Sequence, residues 1–483
     1  MTLDIPDPST IQKKLKSAVG SAFRNWQIVG GTDESLLSFL LLVQQERQRH
    51  EDVGPSTLRL ATNTVLETAL AELEKENEEG MRILRLRFQD KEQIKVVAIQ
   101  LNLSEFTVSH KQREAMDKVA ELLAEQEAAA WQQRVQAMEA RLPPPSYTKL
   151  FGVAEPQAQL GARLLAEAEP HITAVVGIGG IGKTSLARAV TAEVIKEFRF
   201  ADAIWVSLES PSMSGRFTSP EQLRDTLLAA ISDHLWPEQA GESTPHGRLL
   251  QVRQALKQRP ILVIIDNLES AEDAANLLDY LQDLANPSKF LLTSRTRPAG
   301  VFHVSLDQLS LAAATELVRY RLQNGNIAGA EALTGEDIAT IYERTGGNPL
   351  ALILVVNLLD SLSLSHILDG LMSININKVE ELYSHIYWQN WQTISEDART
   401  LLQAMVLVSR EGGKLDYLGV MSGLKERPLQ SAVTELRYRS LLEVGGDIHT
   451  RRYSIHPLTR SFLQTEIIHW PADKLPTSPP PAG

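Results

Sequence analysis

Cysteine is absent from all 483 residues. Its absence excludes a disulfide framework, a thiol nucleophile and any cysteine-ligated zinc or iron–sulfur centre, and it fits a reducing compartment. An excess of positive charge is missing too: 48 Lys and Arg stand against 60 Asp and Glu, for a net charge of −12. An acidic chain does not coat nucleic acid indiscriminately, so nucleic-acid binding would need a small basic module. Long apolar runs are also lacking. The most apolar early stretch, residues 36–43, is interrupted by Ser38, whereas a membrane span needs about 20 residues. Asp4 and Asp7 stand at the N-terminus with no basic-then-apolar signal pattern. These absences predict a cytoplasmic protein with no membrane partner. No repeat with a period of about 20–50 residues is found.

What remains is ordinary globular composition, 43% hydrophobic and 22% charged. The length predicts roughly three domains. Punctuation in the chain places their limits. Pro143-Pro144-Pro145 is a stiff extended linker. Gly346-Gly347-Asn348-Pro349 is a turn between two helical patterns. From Pro471 the sequence is proline-rich with few apolar residues, which predicts a mobile tail. Before the linker the chain reads as helix: residues 11–53 are helical, and residues 57–76 carry Leu60, Val65, Leu66, Leu70 and Leu73 at near-helical spacing. Between the first two marks, short apolar runs at 172–176, 203–208, 261–265, 290–292 and 301–306 alternate with helical stretches such as 185–198 and 221–235. Apolar strands alternating with helices imply a parallel sheet covered on both faces.

The first run leads into Gly177-Ile178-Gly179-Gly180-Ile181-Gly182-Lys183-Thr184, followed by Ser185. This is G-x-x-x-x-G-K-[ST] between a strand and a helix, the pattern of a phosphate-binding loop. Glycines let backbone N–H groups turn inward around phosphate oxygens. Lys183 neutralises the β- and γ-phosphates, Thr184 offers a hydroxyl to Mg²⁺, and the helix start points its positive end at the anion. The strand 261–265 then ends in Asp266, a second candidate Mg²⁺ ligand. A strand ending in Asp is often only a turn device, so the argument rests on the two motifs together. The run Leu291-Leu292-Thr293-Ser294-Arg295 ends in a cation that can meet a γ-phosphate.

Taken together, these residues resemble the NB-ARC branch of the STAND signal-transduction ATPases in a bacterial form, over residues 147–470. Phe151-Gly152-Val153-Ala154-Glu155 resembles the segment whose backbone meets adenine, with Val153-Ala154 where the family often has Gly-Arg. Thr293-Ser294-Arg295 resembles the sensor-1 strand. Gly347-Asn348-Pro349-Leu350-Ala351 resembles the G-x-P-L-A motif, which implies Pro349 near the nucleotide. Tyr453-Ser454-Ile455-His456-Pro457-Leu458 resembles the winged-helix segment, which implies His456 on the β-phosphate of ADP. The bound cofactors implied are ADP or ATP with Mg²⁺. Residues 441–444, Gly445-Gly446-Asp447 and residues 452–455 read as the wing hairpin; residues 401–408 and 430–437 read as helices of that domain. The family often has two adjacent acids where this chain has Asp266-Asn267, with Glu269 two residues on. An amide is no general base at neutral pH, so hydrolysis is expected to be slow or to depend on Glu269. The catalytic candidates are Asp266, Glu269 and Arg295, with turnover expected below about 1 per second, the low end of ordinary enzyme rates. The family usually carries a C-terminal sensor array, and no such repeats are present here.

Upstream, Ile94, Val97, Ala98 and Leu101 share one helical face. Asn102 follows as a turn residue that tolerates the left-handed region, and Ser104 is placed to cap a second helix. This spacing resembles the helix-turn-helix of the DNA-binding C-terminal region of sigma factors, with residues 82–88 as the preceding helix. Thr107, Ser109, His110, Lys111 and Arg113 would then face DNA. Residues 80–125 hold eight basic and seven acidic residues. Non-specific DNA affinity comes mainly from positive charge, so a protein-docking module remains open.

The fold class expected is multidomain. Residues 1–80 form an N-terminal helical segment, 81–142 a helix-turn-helix-like module and 143–147 a linker. Residues 148–308 form an α/β P-loop NTPase domain with a parallel sheet, 309–378 a helical extension, 379–470 a C-terminal winged helix and 471–483 the tail. The function expected is a switch that is closed by ADP through His456 and opens to self-associate with ATP. Its output is transcriptional, through DNA at residues 81–125, or a scaffold that recruits an effector or sensor protein.

Overall fold

The computed structural model describes residues 8–26, 36–49, 55–208, 219–239, 244–268, 271–325, 330–372, 379–409, 412–445 and 450–469. The expected tail 471–483, Glu269 and the turn residues Gly446 and Asp447 lie outside them. The chain divides into two compact units, Met1–Glu139 and Ala140–Gly483.

The first unit is helical: α1 (Pro8–Arg24), α2 (Leu41–Gln48), α3 (Pro55–Glu76), α4 (Glu78–Leu84), a π-helical turn (Arg85–Gln89), α5 (Ile94–Gln100) and the long α6 (Glu105–Arg141). One apolar cluster joins Leu15, Val19 and Phe23 of α1, Leu66, Leu70 and Leu73 of α3, Met81 and Leu84 of α4, and Val119 and Leu123 of α6. The segments on either side of residue 80 therefore share a core. A second, smaller cluster of Ile83, Val97, Ala98 and Val108 packs α5 against the start of α6. The local chemistry of the turn follows the sequence. Asn102 sits at φ +54°, and Ser104 Oγ accepts the Thr107 N–H at 3.0 Å, capping α6. That helix then runs 37 residues. No Gly or Pro interrupts it before Pro143.

In the second unit, five strands form one parallel sheet: β1 (Ile172–Val176), β2 (Asp202–Ser207), β3 (Ile261–Leu268), β4 (Lys289–Ser294) and β5 (Phe302–Ser305), in the order β2-β3-β4-β1-β5. Each of the five apolar runs in the sequence is a strand, with ends shifted by up to three residues. The helices between them are α7 (Ala154–Leu165), α8 (Lys183–Val194), α9 (Pro220–Leu235), α10 (Pro245–Gln258) and α11 (Ala271–Leu284). β1, β3 and β4 are buried along almost their whole length because both sheet faces are covered. One face packs with Leu223, Leu227 and Ile231 of α9 and Leu277 and Leu281 of α11. The other packs with Leu160 and Leu164 of α7 and Leu186 and Val190 of α8. The β3–β4 register shifts between Ile265 and Leu268, where Asn267 takes φ +74°.

A helical part follows: α12 (Leu311–Gly325), α13 (Gly335–Thr345), α14 (Pro349–Leu358), α15 (Leu364–Met372), α16 (Val379–Thr393), α17 (Glu396–Ala404), α18 (Leu415–Ser422) and α19 (Glu426–Tyr438). Strands β6 (Glu443–Gly445) and β7 (Arg452–Ser454) pair antiparallel, and α20 (Pro457–Phe462) is followed by a π-helical turn (Leu463–Ile467). One large core runs from Phe151 through α12, α14 and α16 to Leu463. Among the described residues no helix is long and apolar enough to cross a membrane.

Candidate nucleotide site

β1 delivers the chain to the carboxyl edge of the sheet, where residues 177–182 turn into α8. Gly182 is the N-cap of α8 at φ +104°, a conformation that favours glycine. The loop is tied back by the Gly177 N–H, which donates to the Ser294 carbonyl at the end of β4 at 3.3 Å. Ile181 is buried below it. Lys183 Nζ donates to the carbonyls of Gly177 at 2.9 Å and Ile178 at 3.0 Å. The lysine thus folds over the loop that a phosphate would fill.

The neighbouring strands bring the acidic side of the site. Asp266, at the end of β3, is 7% exposed. Its Oδ1 accepts from Thr184 Oγ1 at 2.9 Å and from Thr293 Oγ1 at 2.5 Å. Thr293 Oγ1 also accepts the Asn267 N–H at 2.9 Å, so β4 holds the bulge that carries Asp266. Burial pushes the Asp266 carboxyl above its ordinary range, against the opposing pull of Thr293, Thr184 and Lys183. A hard divalent cation takes oxygen ligands. A hydroxyl and a buried carboxylate side by side fit Mg²⁺, with remaining positions for phosphate and water. Among the described residues no cluster of three acidic or histidine groups offers a competing metal site.

Other residues singled out in the sequence lie around this centre in different ways. Ser185 Oγ lies 3.4 Å from Ser146 Oγ. Phe151 is buried against Leu309 and Leu317 and tilts on Tyr320, with ring centres 5.5 Å apart; Val153 is the N-cap of α7. Arg295 is exposed just past β4. Pro349 opens α14 as its first residue, a position that needs no N–H. His456 is the N-cap of α20, and its Nδ1 accepts the Leu458 N–H at 3.2 Å. A Cβ built on Gly179 would lie 3.5 Å from Leu458 Cδ1. The helix headed by His456 therefore rests on the phosphate loop.

Reading the sequence did not single out Thr293, Asn348, Tyr383 or Leu458 as site residues. Asn348 Nδ2 donates to the Gly179 carbonyl at 3.0 Å, and Tyr383 donates to Asn348 Oδ1 at 2.7 Å. Asn348 was visible inside its motif. Tyr383 carried no local signal, because an aromatic at helical spacing reads as core.

In the first unit, Lys111 pairs with Glu79 and His110 Nδ1 lies 3.3 Å from Glu114. Ser109 Oγ donates to the Glu105 carbonyl at 3.0 Å, and Thr107 Oγ1 lies 2.7 Å from Ser104 Oγ. Arg113 is exposed. Phe106 and Ile99 beside them are 80% and 73% exposed.

Comparison with known proteins matches residues 154–308 to the NB-ARC domain. The chain is 23% identical over 335 residues to an uncharacterized WD repeat-containing protein of Nostoc sp., covering 63% of this chain and 25% of that protein. It is 32% identical over 188 residues to the regulatory protein AfsR of Streptomyces griseus, covering 37% of this chain and 18% of that one. It is 23% identical over 204 residues to the disease resistance protein RPP2A of Arabidopsis thaliana, covering 42% and 15%. The chain thus spans a quarter or less of the length of these curated relatives. Among solved structures, the Walker-type ATPase of Pyrococcus abyssi aligns with a TM-score of 0.36 at 16% identity, over 68% of this chain and 100% of that chain. With its phosphate loop between β1 and α8 and its buried aspartate at the end of β3, the stretch 154–308 of this chain is an NB-ARC domain, a nucleotide-binding P-loop NTPase module.

Proposed function

We propose that the chain is a nucleotide-dependent signalling switch, closed with ADP and open to self-association with ATP. The observation that carries this reading is the packing of α20 on the phosphate loop, through Leu458 at Gly179. A helix from far along the chain rests against the loop that would cradle the nucleotide's phosphates. The order α17, α18, α19 and then the β6–β7 hairpin supports a winged helix within residues 379–470, with 309–378 as the helical extension.

In this mechanism the N–H groups of residues 179–184 cradle the phosphates. Lys183 leaves the Gly177 and Ile178 carbonyls for the β- and γ-oxygens. Thr184 and Asp266 would hold Mg²⁺, which neutralises phosphate charge when bound. His456 Nδ1 is engaged by Leu458, so the neutral ring carries its proton on Nε2 and donates there to a β-phosphate. Arg295 answers a γ-phosphate from the end of β4. Asn267 supplies no general base, so the chain turns nucleotide over slowly and acts as a switch; Glu269 remains a candidate base outside the described residues.

Lys183→Ala is expected to abolish ADP and ATP binding in calorimetric titration. The wild type is expected to show a higher mass by light scattering in ATP than in ADP. An equal mass in both nucleotides overturns the self-association.

Two outputs remain in view. The AfsR likeness, a regulatory protein by name, supports a regulatory output, and DNA as the partner of residues 81–125 rests on the helix-turn-helix resemblance around Asn102 and Ser104. The Lys111–Glu79 pair and the exposed Phe106 and Ile99 favour a protein effector instead. A salt titration of full-length protein on mixed duplex DNA separates them. Salt-sensitive binding lost in Lys111→Glu/Arg113→Glu supports the DNA output, and no binding at low salt supports docking.

A further inference from the structure

Asn348 is 3% exposed and bonds to several groups at once. Its Oδ1 accepts the N–H of Leu350 at 3.0 Å and of Ala351 at 3.4 Å, which caps α14. The same oxygen accepts the Tyr383 hydroxyl at 2.7 Å. Its Nδ2 donates to the Gly179 carbonyl at 3.0 Å. An amide can be placed either way round, and its partners decide. Two backbone N–H groups converge on one end, so that end is the oxygen and the NH₂ faces Gly179.

The Gly179–Gly180 peptide is planar and trans, so its C=O and N–H point in opposite directions. A carbonyl drawn to Asn348 turns the Gly180 N–H away from α14. Gly180 has φ +72°. A side chain there would overlap the Tyr383 hydroxyl and come within 3.0 Å of Leu350 Cβ. The loop is therefore pressed on this side by α14 and α16.

We infer that Asn348 is a positioning residue of the phosphate loop: its amide fixes the Gly179–Gly180 peptide so that the Gly180 N–H is presented to a nucleotide phosphate, and Tyr383 locks the amide. The inference rests on the nucleotide reading of the site and adds the residue that sets the loop's shape from outside the NB-ARC match. The lock also continues toward the C-terminal helix. Tyr383 stacks on Tyr387 with ring centres 6.0 Å apart. Thr459 Oγ1 of α20 donates to the Tyr387 hydroxyl at 3.0 Å. Phosphate-loop geometry and α20 are thus joined by one run of side chains.

The test uses full-length Asn348→Asp, Asn348→Ser and Tyr383→Phe, with fluorescent ADP affinity and release rate as readouts beside the nucleotide-free melting temperature. Asp and Ser cap a helix about as well as Asn, so a purely structural role is rescued by both. Neither donates an amide to Gly179, and Asp also turns an anion toward the carbonyl. ADP affinity is expected to fall about tenfold or more in Asn348→Asp, less in Asn348→Ser, and about two- to fivefold in Tyr383→Phe. Wild-type affinity in Asn348→Asp overturns the inference. If that variant melts early, wild-type release rates in both Asn348→Ser and Tyr383→Phe overturn it. A wild type that binds neither ADP nor ATP removes the nucleotide reading itself, and this inference with it.

Discussion

Two buried carboxylates, one in each unit, respond to acid in opposite directions. In the first unit Glu127 accepts the N–H of Leu41 at 2.7 Å, the N–H of Leu42 at 3.2 Å and the Trp131 indole at 2.9 Å. Burial pushes its carboxyl above the ordinary 4.5, against the pull of those three donors. In the second unit burial also pushes Asp202 upward, but His234, Arg141 and the Ala203 N–H outweigh it and hold it below 3.8. Arg141 donates to it at 2.9 Å. The raised group binds its proton more tightly when folded, so its contribution to stability grows as pH falls through its folded value and levels off below 4.5. The depressed group stabilises fully above 3.8, and that contribution is lost as pH falls through its folded value. Acidification should therefore widen the melting-temperature gap between wild type and Glu127→Gln, and narrow the gap between wild type and Asp202→Asn. Gaps that stay constant between pH 7 and 3 would remove both assignments.

At the scale of elements, α6 is the clearest departure from what its sequence suggests at first reading. The turn at Asn102 and the cap at Ser104 are local and legible. The length is not, because a helix-turn-helix resemblance draws attention to the first turns alone. Beyond them Val119, Leu122 and Leu123 pack against α1 and α3, and the helix continues through Glu127 and Trp131. Ala129 is exposed mid-helix. Ala129→Pro removes a backbone donor and clashes one turn back, so it should destabilise the first unit by about 3 kcal/mol, read as lost ellipticity at 222 nm and a lower denaturant midpoint. A near-wild-type midpoint would show that α6 is not continuous there. The linker after α6 was legible as proline, but its fastening was not. Arg188 of α8 donates to the Pro143 carbonyl at 2.6 Å, and a side chain on Gly445 of β6 would overlap Pro144.

For the molecule as a whole, two compact units with separate cores predict two calorimetric transitions. Nucleotide bound at the phosphate loop stabilises only the unit that holds it. A ligand at a hundred times its Kd adds about 2.7 kcal/mol, so ADP should raise one transition and leave the other in place. In Lys183→Ala neither should move. A single transition, or two that shift together, would contradict independent units.

The sequence by itself determined the elements whose information is local. Five apolar runs became five parallel strands. The glycine pattern became the turn from β1 into α8, and Asn102 and Ser104 became a turn and a cap. Each depends on residues within a few positions of one another, and periodicity and backbone preference report such relations. Only the tertiary structure decided which groups meet across the chain. Asn348 reaches Gly179 across 169 positions, Arg188 reaches Pro143 across 45, and Thr459 reaches Tyr387 across 72. A side-chain hydrogen bond leaves no periodic trace in sequence, because its partner is set by which helices and strands pack together.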